Sequence, residues 1–273
     1  MKIKFTNDKV KLENIAISKK KNKAKLNWVR LAEKNKIPID CKYINPHVVF
    51  DGVDWFITVG IEMEDNKVLP ANDGIGIDLG VKDLAICSDG NTYKNINKTK
   101  EIKKLEKRKR RLQRSISRKY LNNKKGGSYN KTSNIIKSEK KLLKLNHRLT
   151  NIRDNYLHSV TSEIINRKPK FITIEDLNVS GMMKNKHLSK AIQQQKLYEF
   201  RRQLEYKTKW NNIELRIVDR YYPSSKLCHN CGQIKKDLKL SDRIYKCDCG
   251  YEEDRDYNAS LNLRDSKSYK LAQ

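Results

Sequence analysis

An α/β fold is what this sequence predicts, and three observations carry it. Short apolar runs with tight turns begin at Ile75, two long stretches with helical apolar spacing follow, and isolated strands then alternate with helices. Ahead of them, VVFDGVDWFITVGIEME at 48–64 has the pattern of two strands, Val48–Phe50 and Trp55–Glu62, joined at Asp51–Gly52. IGIDLG at 75–80, LAICS at 84–88 and NTYKNI at 91–96 are three more strands. Ser88-Asp89-Gly90-Asn91 is the turn between the last two, so the three form an antiparallel meander.

Two helices come next. Ile102, Leu105, Leu112 and Ile116 recur at helical spacing, and after the loop KKGGSYNKTS a longer stripe runs through Leu142, Leu145, Leu149, Ile152, Tyr156, Val160 and Ile164. Lys170–Glu175, entered through Pro169, is a fourth strand. One helix is expected from about Ser189 to Trp210, with Leu197, Phe200 and Leu204 inward. IELRIVD at 213–219 is a fifth strand, and a last helix spans about Asp256 to Arg264. Apart from a cysteine cluster inserted at 228–249, this is the element order of an RNase H-like fold with a helical insertion at about 100–167.

The chain carries 60 Lys and Arg against 32 Asp and Glu, a formal net charge of +28. A polyanion is the natural partner, because neutralising phosphates releases condensed counterions. Between positions 101 and 150 there are 18 basic and 3 acidic side chains. Most charge runs are solvated faces, but like charges at helical neighbours repel, and the one-signed imbalance favours a phosphate-facing surface. A membrane span is not expected, since no run of ~18 apolar residues occurs. No apolar stretch follows MKIKFTNDKVK, so a secretory signal is not expected either. Four of the six cysteines lie within 22 positions, which fits a metal site in a reducing compartment. The expectation is a cytoplasmic, nucleic-acid-binding protein.

Three carboxylates stand out by their place in this order. Asp78 lies in the first meander strand, Glu175 closes the fourth strand, and Asp256 opens the last helix. Each element belongs near the sheet centre, where the acids can converge on hard divalent cations for phosphodiester hydrolysis. Taken singly, each has a plain structural role available, Asp256 as a helix cap for instance; together, in this order, they suggest a two-metal site. GIDLG also opens the phosphate loop of sugar-kinase-like ATPases, but those need a second glycine-rich loop, and 11 glycines without one argue against that class.

Cys228-x-x-Cys231, fifteen residues, then Cys247-x-Cys249 gives four thiolates in two knuckles. Soft ligands in tetrahedral number select zinc, and a site closed by four protein ligands is structural. His229 and Asp248 are possible substitute ligands, though neither is needed, and Gly232 and Gly250 suit the turns leaving each knuckle. Cys41 and Cys87 are remote from the cluster; Cys87, in an apolar strand, suits buried packing.

GIGIDLGVKDLAICSDG, FITIEDLNVSGMMKNKHLSKAI, EFRRQLEYKTKW, VDRYYPSSKLCHNCG and YKCDCGYEEDRDYNASLNL together resemble the TnpB family, transposon-encoded RNA-guided nucleases similar to type V CRISPR effectors. The resemblance covers roughly residues 26 to 265. It implies a RuvC nuclease core over 74–220 and 251–265 with Asp78, Glu175 and Asp256 as catalytic acids, Asp254 being the fallback for the third. It further implies a zinc ribbon over 221–250 on the four clustered cysteines, magnesium or manganese as cofactor, a DNA target, a guide RNA, and a tail at 266–273. NWVRLAEKNKIP at 27–38 resembles a segment that follows the family's recognition domain. Residues 1–70 would then be a partial, β-rich wedge domain, and target location would be impaired. The rival reading is a nucleic-acid-binding remnant that no longer cuts. DNA strand joining is not expected, because no tyrosine accompanies a His-x-His pair.

Overall fold

The computed structural model describes residues 3–11, 28–39, 41–62, 69–239 and 241–272. The chain divides into two compact units, Met1–Glu64 and Asp65–Gln273. In the first, strands Lys4–Phe5, Lys9–Lys11 and Trp28–Arg30 form an antiparallel sheet over Phe5 and Val10. A hairpin pairs Tyr43–Phe50 with Trp55–Ile61. Its turn is where the sequence places it: Asp51 Oδ1 accepts from Val53 N and Asp54 N, both at 2.8 Å, and Gly52 takes φ +90°. The second strand was expected to reach Glu62 and stops at Ile61.

The second unit is built on a six-stranded sheet. Its elements are β1 (Ile75–Leu79), β2 (Asp83–Cys87), β3 (Thr92–Lys94), α1 (Lys100–Asn122), α2 (Ser133–Asn166), β4 (Phe171–Glu175), α3 (Ser189–Gln195), α4 (Leu197–Trp210), β5 (Glu214–Val218), α5 (Arg255–Arg264) and β6 (Lys270–Leu271). The spatial order is β6-β5-β4-β1-β2-β3. β1, β4 and β5 are mutually parallel, and β2, β3 and β6 run antiparallel to their neighbours. β3 is shorter than its apolar pattern suggests because Asn95 turns the chain, its side chain accepting from Asn97 N at 2.9 Å.

Alternation along the central strands separates two faces. Ile75 and Ile77, with Ile172 and Ile174, pack under Leu157, Val160 and Ile164 of α2 and Phe200 and Leu204 of α4. α5 covers the opposite face. The α1–α2 hairpin closes, around the first turns of α1, on its own small core of Ile102, Leu105, Leu145 and Leu149. Thr132 caps α2, accepting from Ile135 N, so KKGGSYNKTS ends where that helix begins.

Two segments depart from the sequence expectation. The helix expected from Ser189 to Trp210 is two helices, broken at Lys196, which takes a left-handed φ of +53°. The reason is polar. Gln195 is buried and donates to Gly80 O at 3.1 Å while its oxygen accepts from Asn97, and Lys196 pairs with Asp154. Apolar spacing continues across the break, so periodicity does not register it. The segment expected as a tail instead supplies β6, with Ala272 N donating to Leu215 O at 2.9 Å. A two-residue edge strand is too short to show a period.

Gly76 permits the approach of α5 to the sheet. A Cβ at that position would lie 2.0 Å from Ser260 O and 2.4 Å from Arg264 N, both backbone atoms. Gly76→Ala is therefore expected to destabilise the unit by about 2–3 kcal/mol, as overpacking against backbone does. Urea unfolding of the two proteins checks it, and an unchanged midpoint would mean that α5 can shift freely.

Candidate active site and metal centre

The Gly76 contact also sets what meets at the sheet surface. Asp78 lies two residues beyond Gly76 on the same face of β1, a step of about 6.6 Å, and Asp256 lies four residues, about one turn, before Ser260, a step of about 6.0 Å along α5. The two steps nearly match, which brings the start of α5 toward Asp78. Across the sheet Thr173 pairs with Gly76 and Ile174 with Ile77, so the register carried one step further sets Glu175 beside Asp78. Burial, followed by the charges of Asp256 and Glu175, pushes the Asp78 carboxyl up to about 8. Glu175 rises to about 7, first through burial and then through Asp176. Such a cluster disfavours its own ionisation and favours an added cation.

Asp256 is held by its neighbours: Arg255 Nε and Nη2 donate to its Oδ1 at 3.0 and 2.7 Å, and Arg243 lies 3.8 Å from Oδ2. Asp254 has a different task. Its Oδ1 accepts from Asp256 N at 2.9 Å and Tyr257 N at 3.1 Å, the cap of α5. Sequence reading passed over Asp176, one residue past Glu175, which accepts from Arg201 at 2.6 Å and Arg220 at 2.8 Å. Arginines 25 and 44 residues away leave no local signal for this clamp.

The four cysteines converge. Among the described residues, theirs is the one group of three or more His, Cys, Asp or Glu side chains gathered closely enough to hold an ion, all four sulfurs lying within 4.8 Å of one another. Cys228 and Cys249 sulfurs are 3.7 Å apart and Cys231 and Cys247 sulfurs 3.6 Å. Four sulfurs at about 2.3 Å from a tetrahedral ion would be separated by about 3.8 Å, so the donor set fits a metal. Gly232 N and Gly250 N donate to Cys228 O and Cys247 O at 2.9 and 3.0 Å, with φ of +75° and +87°, closing each knuckle. The Tyr251 amide, then Asn230, holds the Cys249 thiol down to about 6. His229 stays outside the ligand set, its amide on Asn258 Oδ1 at 3.2 Å and its ring 3.8 Å from Asp265. Cys87 is buried, and burial pushes its thiol up to about 12.

The cluster is tied to α5 by two buried asparagines. Asn258 Nδ2 donates to Leu227 O at 2.8 Å, and Asn262 Nδ2 donates to Ser224 O and Leu227 O at 2.8 and 2.7 Å. The helix that carries Asp256 is thus anchored on one side by the cysteine module and on the other by Gly76. The basic side chains of the helical hairpin also have a definite place: Arg108, Arg111, Lys141, Lys144 and Arg148 line a cleft between α1 and α2 that has no acidic residue in its lining. No helix among the described residues is long and apolar enough to cross a membrane.

Residues 58–186 match a family model described as "Probable transposase", and residues 198–263 match one described as "Cas12f1-like, TNB domain". A protein of Escherichia coli K12 named "Putative RNA-guided DNA endonuclease InsQ" is 32% identical over 256 residues, covering 88% of this chain and 60% of that protein. The chain belongs to the TnpB family. A Streptomyces pristinaespiralis relative named "Putative RNA-guided DNA endonuclease" is 34% identical over 77% of the TnpB-family chain and 49% of its own length. Among solved structures, the cryo-EM structure of a CRISPR-Cas12f ternary complex superposes with a TM-score of 0.54 at 22% identity, over 80% of this chain and 43% of that one. A second, of a Cas12f1–sgRNA–target DNA complex, gives 0.55 at 21% identity, over 79% and 43%. These share the fold. The chain spans about half to three-fifths of the length of the curated TnpB relatives it matches.

Proposed function

We propose that this chain bears the nuclease site of an RNA-guided DNA endonuclease, with Asp78, Glu175 and Asp256 holding magnesium or manganese. The observation that carries the reading is that the charges of Asp256 on α5 and Glu175 on β4 act on the buried carboxyl of Asp78 on β1, in a chain of net charge +28; the three acids would have to draw together around the ions. The bound ions would polarise the phosphodiester and activate water for in-line hydrolysis. The chain's own groups do the positioning. Asp78 would be a ligand on a rigid strand, with Glu175 beside it by strand register and Asp256 on a helix fixed at Gly76 and at the cysteine module. Arg201 and Arg220 hold Asp176 and with it the loop leaving Glu175.

Under this reading residues 74–220 and 251–265 are a RuvC core. Residues 221–250 are a structural zinc ribbon on Cys228, Cys231, Cys247 and Cys249, and the hairpin that pairs Ile244–Lys246 with Glu252–Asp254 runs past residue 250 to the start of α5. The strands within Met1–Glu64 correspond to a wedge domain. The α1–α2 cleft gives a sequence-independent grip on phosphate, so affinity for nucleic acid falls steeply as salt rises. A binding role without cutting is favoured by one observation, the Arg255 guanidinium on Asp256 Oδ1, where an ion would need that oxygen.

Protein co-expressed with its flanking RNA, incubated with magnesium and either single-stranded DNA or a plasmid library with randomised flanks, separates these readings. The expected result is metal-dependent cutting, strongest on single strands, which enter such a site without unpairing. No cutting with either ion would leave the binding role. Efficient cuts confined to guide-matched sites beside one short motif would show that these residues suffice for targeting.

A further inference from the structure

Beside Glu175 lies a cleft of about 460 Å³ whose walls include Leu177, Asn178, Leu197, Tyr198, Arg201 and Arg220. Its charges nearly cancel: Arg201 and Arg220 face Glu175 and Glu205, and both arginines also bind Asp176. A run of phosphates is therefore not what this cleft suits, in contrast to the groove between α1 and α2, whose charged lining side chains are all basic. Leucine and valine side chains form its apolar walls, and the Tyr198 side chain, on the first turn of α4, is 68% exposed. Asn178 commits its oxygen to Gly181 N at 2.9 Å and Ser180 Oγ at 3.0 Å, which leaves its amide NH2 to donate to a ligand. An apolar slot with an aromatic at its mouth and an amide donor in its wall suits an unpaired nucleobase, which has a flat face and a polar edge.

We propose that this cleft takes the base next to the scissile phosphate of a single DNA strand, stacked on Tyr198. The inference rests on Glu175 being part of the cutting site, and it explains how a strand would be held in register there: the base is seated in the slot and its phosphate lies over the carboxylates. The left-handed break at Lys196 serves the arrangement, because it starts α4 afresh and sets Tyr198 at the slot while Leu197 and Phe200 stay in the core. A duplex cannot present a base this way without unpairing it, so the subsite selects single strands by shape.

The test uses the protein with its RNA and an oligothymidylate carrying 5-iodouracil at successive positions. Irradiation is expected to cross-link one position to Tyr198, with Tyr198→Phe retaining the cross-link and Tyr198→Ala losing it. Tyr198→Ala should also weaken single-strand cleavage about tenfold, with Tyr198→Phe close to wild type, in line with the free energy of one stacked base. Cross-links found only in the α1–α2 groove would overturn the proposal, as would an alanine variant that cuts single strands at the wild-type rate. A Tyr198 cross-link in a protein that never cuts would support the subsite and instead overturn the nuclease reading of Glu175.

Discussion

Asp78→Ala is expected to lower metal-dependent DNA cleavage by more than about 100-fold while leaving nucleic-acid affinity nearly unchanged. Losing a direct metal ligand should exceed the 10–100-fold cost of losing a group that merely supports one. Affinity should survive because the grip on phosphate comes from side chains such as Arg108, Lys141 and Arg148, on other elements. Glu175→Gln and Asp256→Asn are expected to behave alike. Asp254→Ala is the informative contrast, since Asp254 caps α5 through two backbone amides. It should cost stability, about 1 kcal/mol, and leave the chemistry in place. Single-turnover cleavage and filter binding on the same preparations check both. An Asp78→Ala protein keeping more than a tenth of the wild-type rate would remove Asp78 from the metal site.

Cys231→Ser is expected to abolish tight metal retention and to loosen the segment that supports α5. Four sulfurs at tetrahedral spacing would hold an ion whose binding energy is folding energy, about 10–16 kcal/mol in small zinc modules. The wild type should carry about one zinc per chain. Removing a ligand should free Ser224 O and Leu227 O from Asn262 and Asn258, and the start of α5 would lose its outer anchor. Metal content by mass spectrometry and hydrogen exchange across 224–262 test this. Freshly reduced protein without zinc would count against the ribbon, and a Cys231→Ser protein with unchanged exchange would show that the cluster does not position α5. A solubility loss alone would not discriminate, which is why exchange is the readout.

The strands of the meander, the two long helices and the cysteine spacing were legible because each is a local pattern: a period of two, a period near 3.6, or ligands within a few residues of one another. Asp78, Glu175 and Asp256 could be singled out by element order, yet that order says nothing of distance. The matching steps from Gly76 to Asp78 and from Ser260 to Asp256 depend on a helix–strand contact between residues about 180 positions apart. Separations of 25 and 44 residues hid the Asp176 clamp, and one of 31 the bond from Asn258 behind the cysteine module. Sequence likewise left the choice between Asp254 and Asp256 open; the hydrogen bonds mark Asp254 as the cap of α5, while both charges act on Asp78, that of Asp256 the more strongly.

By itself the sequence determined the class of fold, the sign of the partner's charge and the residue types able to hold metal. The tertiary structure decided the break at Lys196, the edge strand at Lys270–Leu271 and the cleft beside Glu175. The physical reason is the same in each case. An apolar period records only which side of an element is dry, whereas the partner of a buried polar group is chosen by whichever distant element arrives beside it. For Gln195 that element was the end of β1, whose Gly80 O takes its side-chain amide at the break between the two helices.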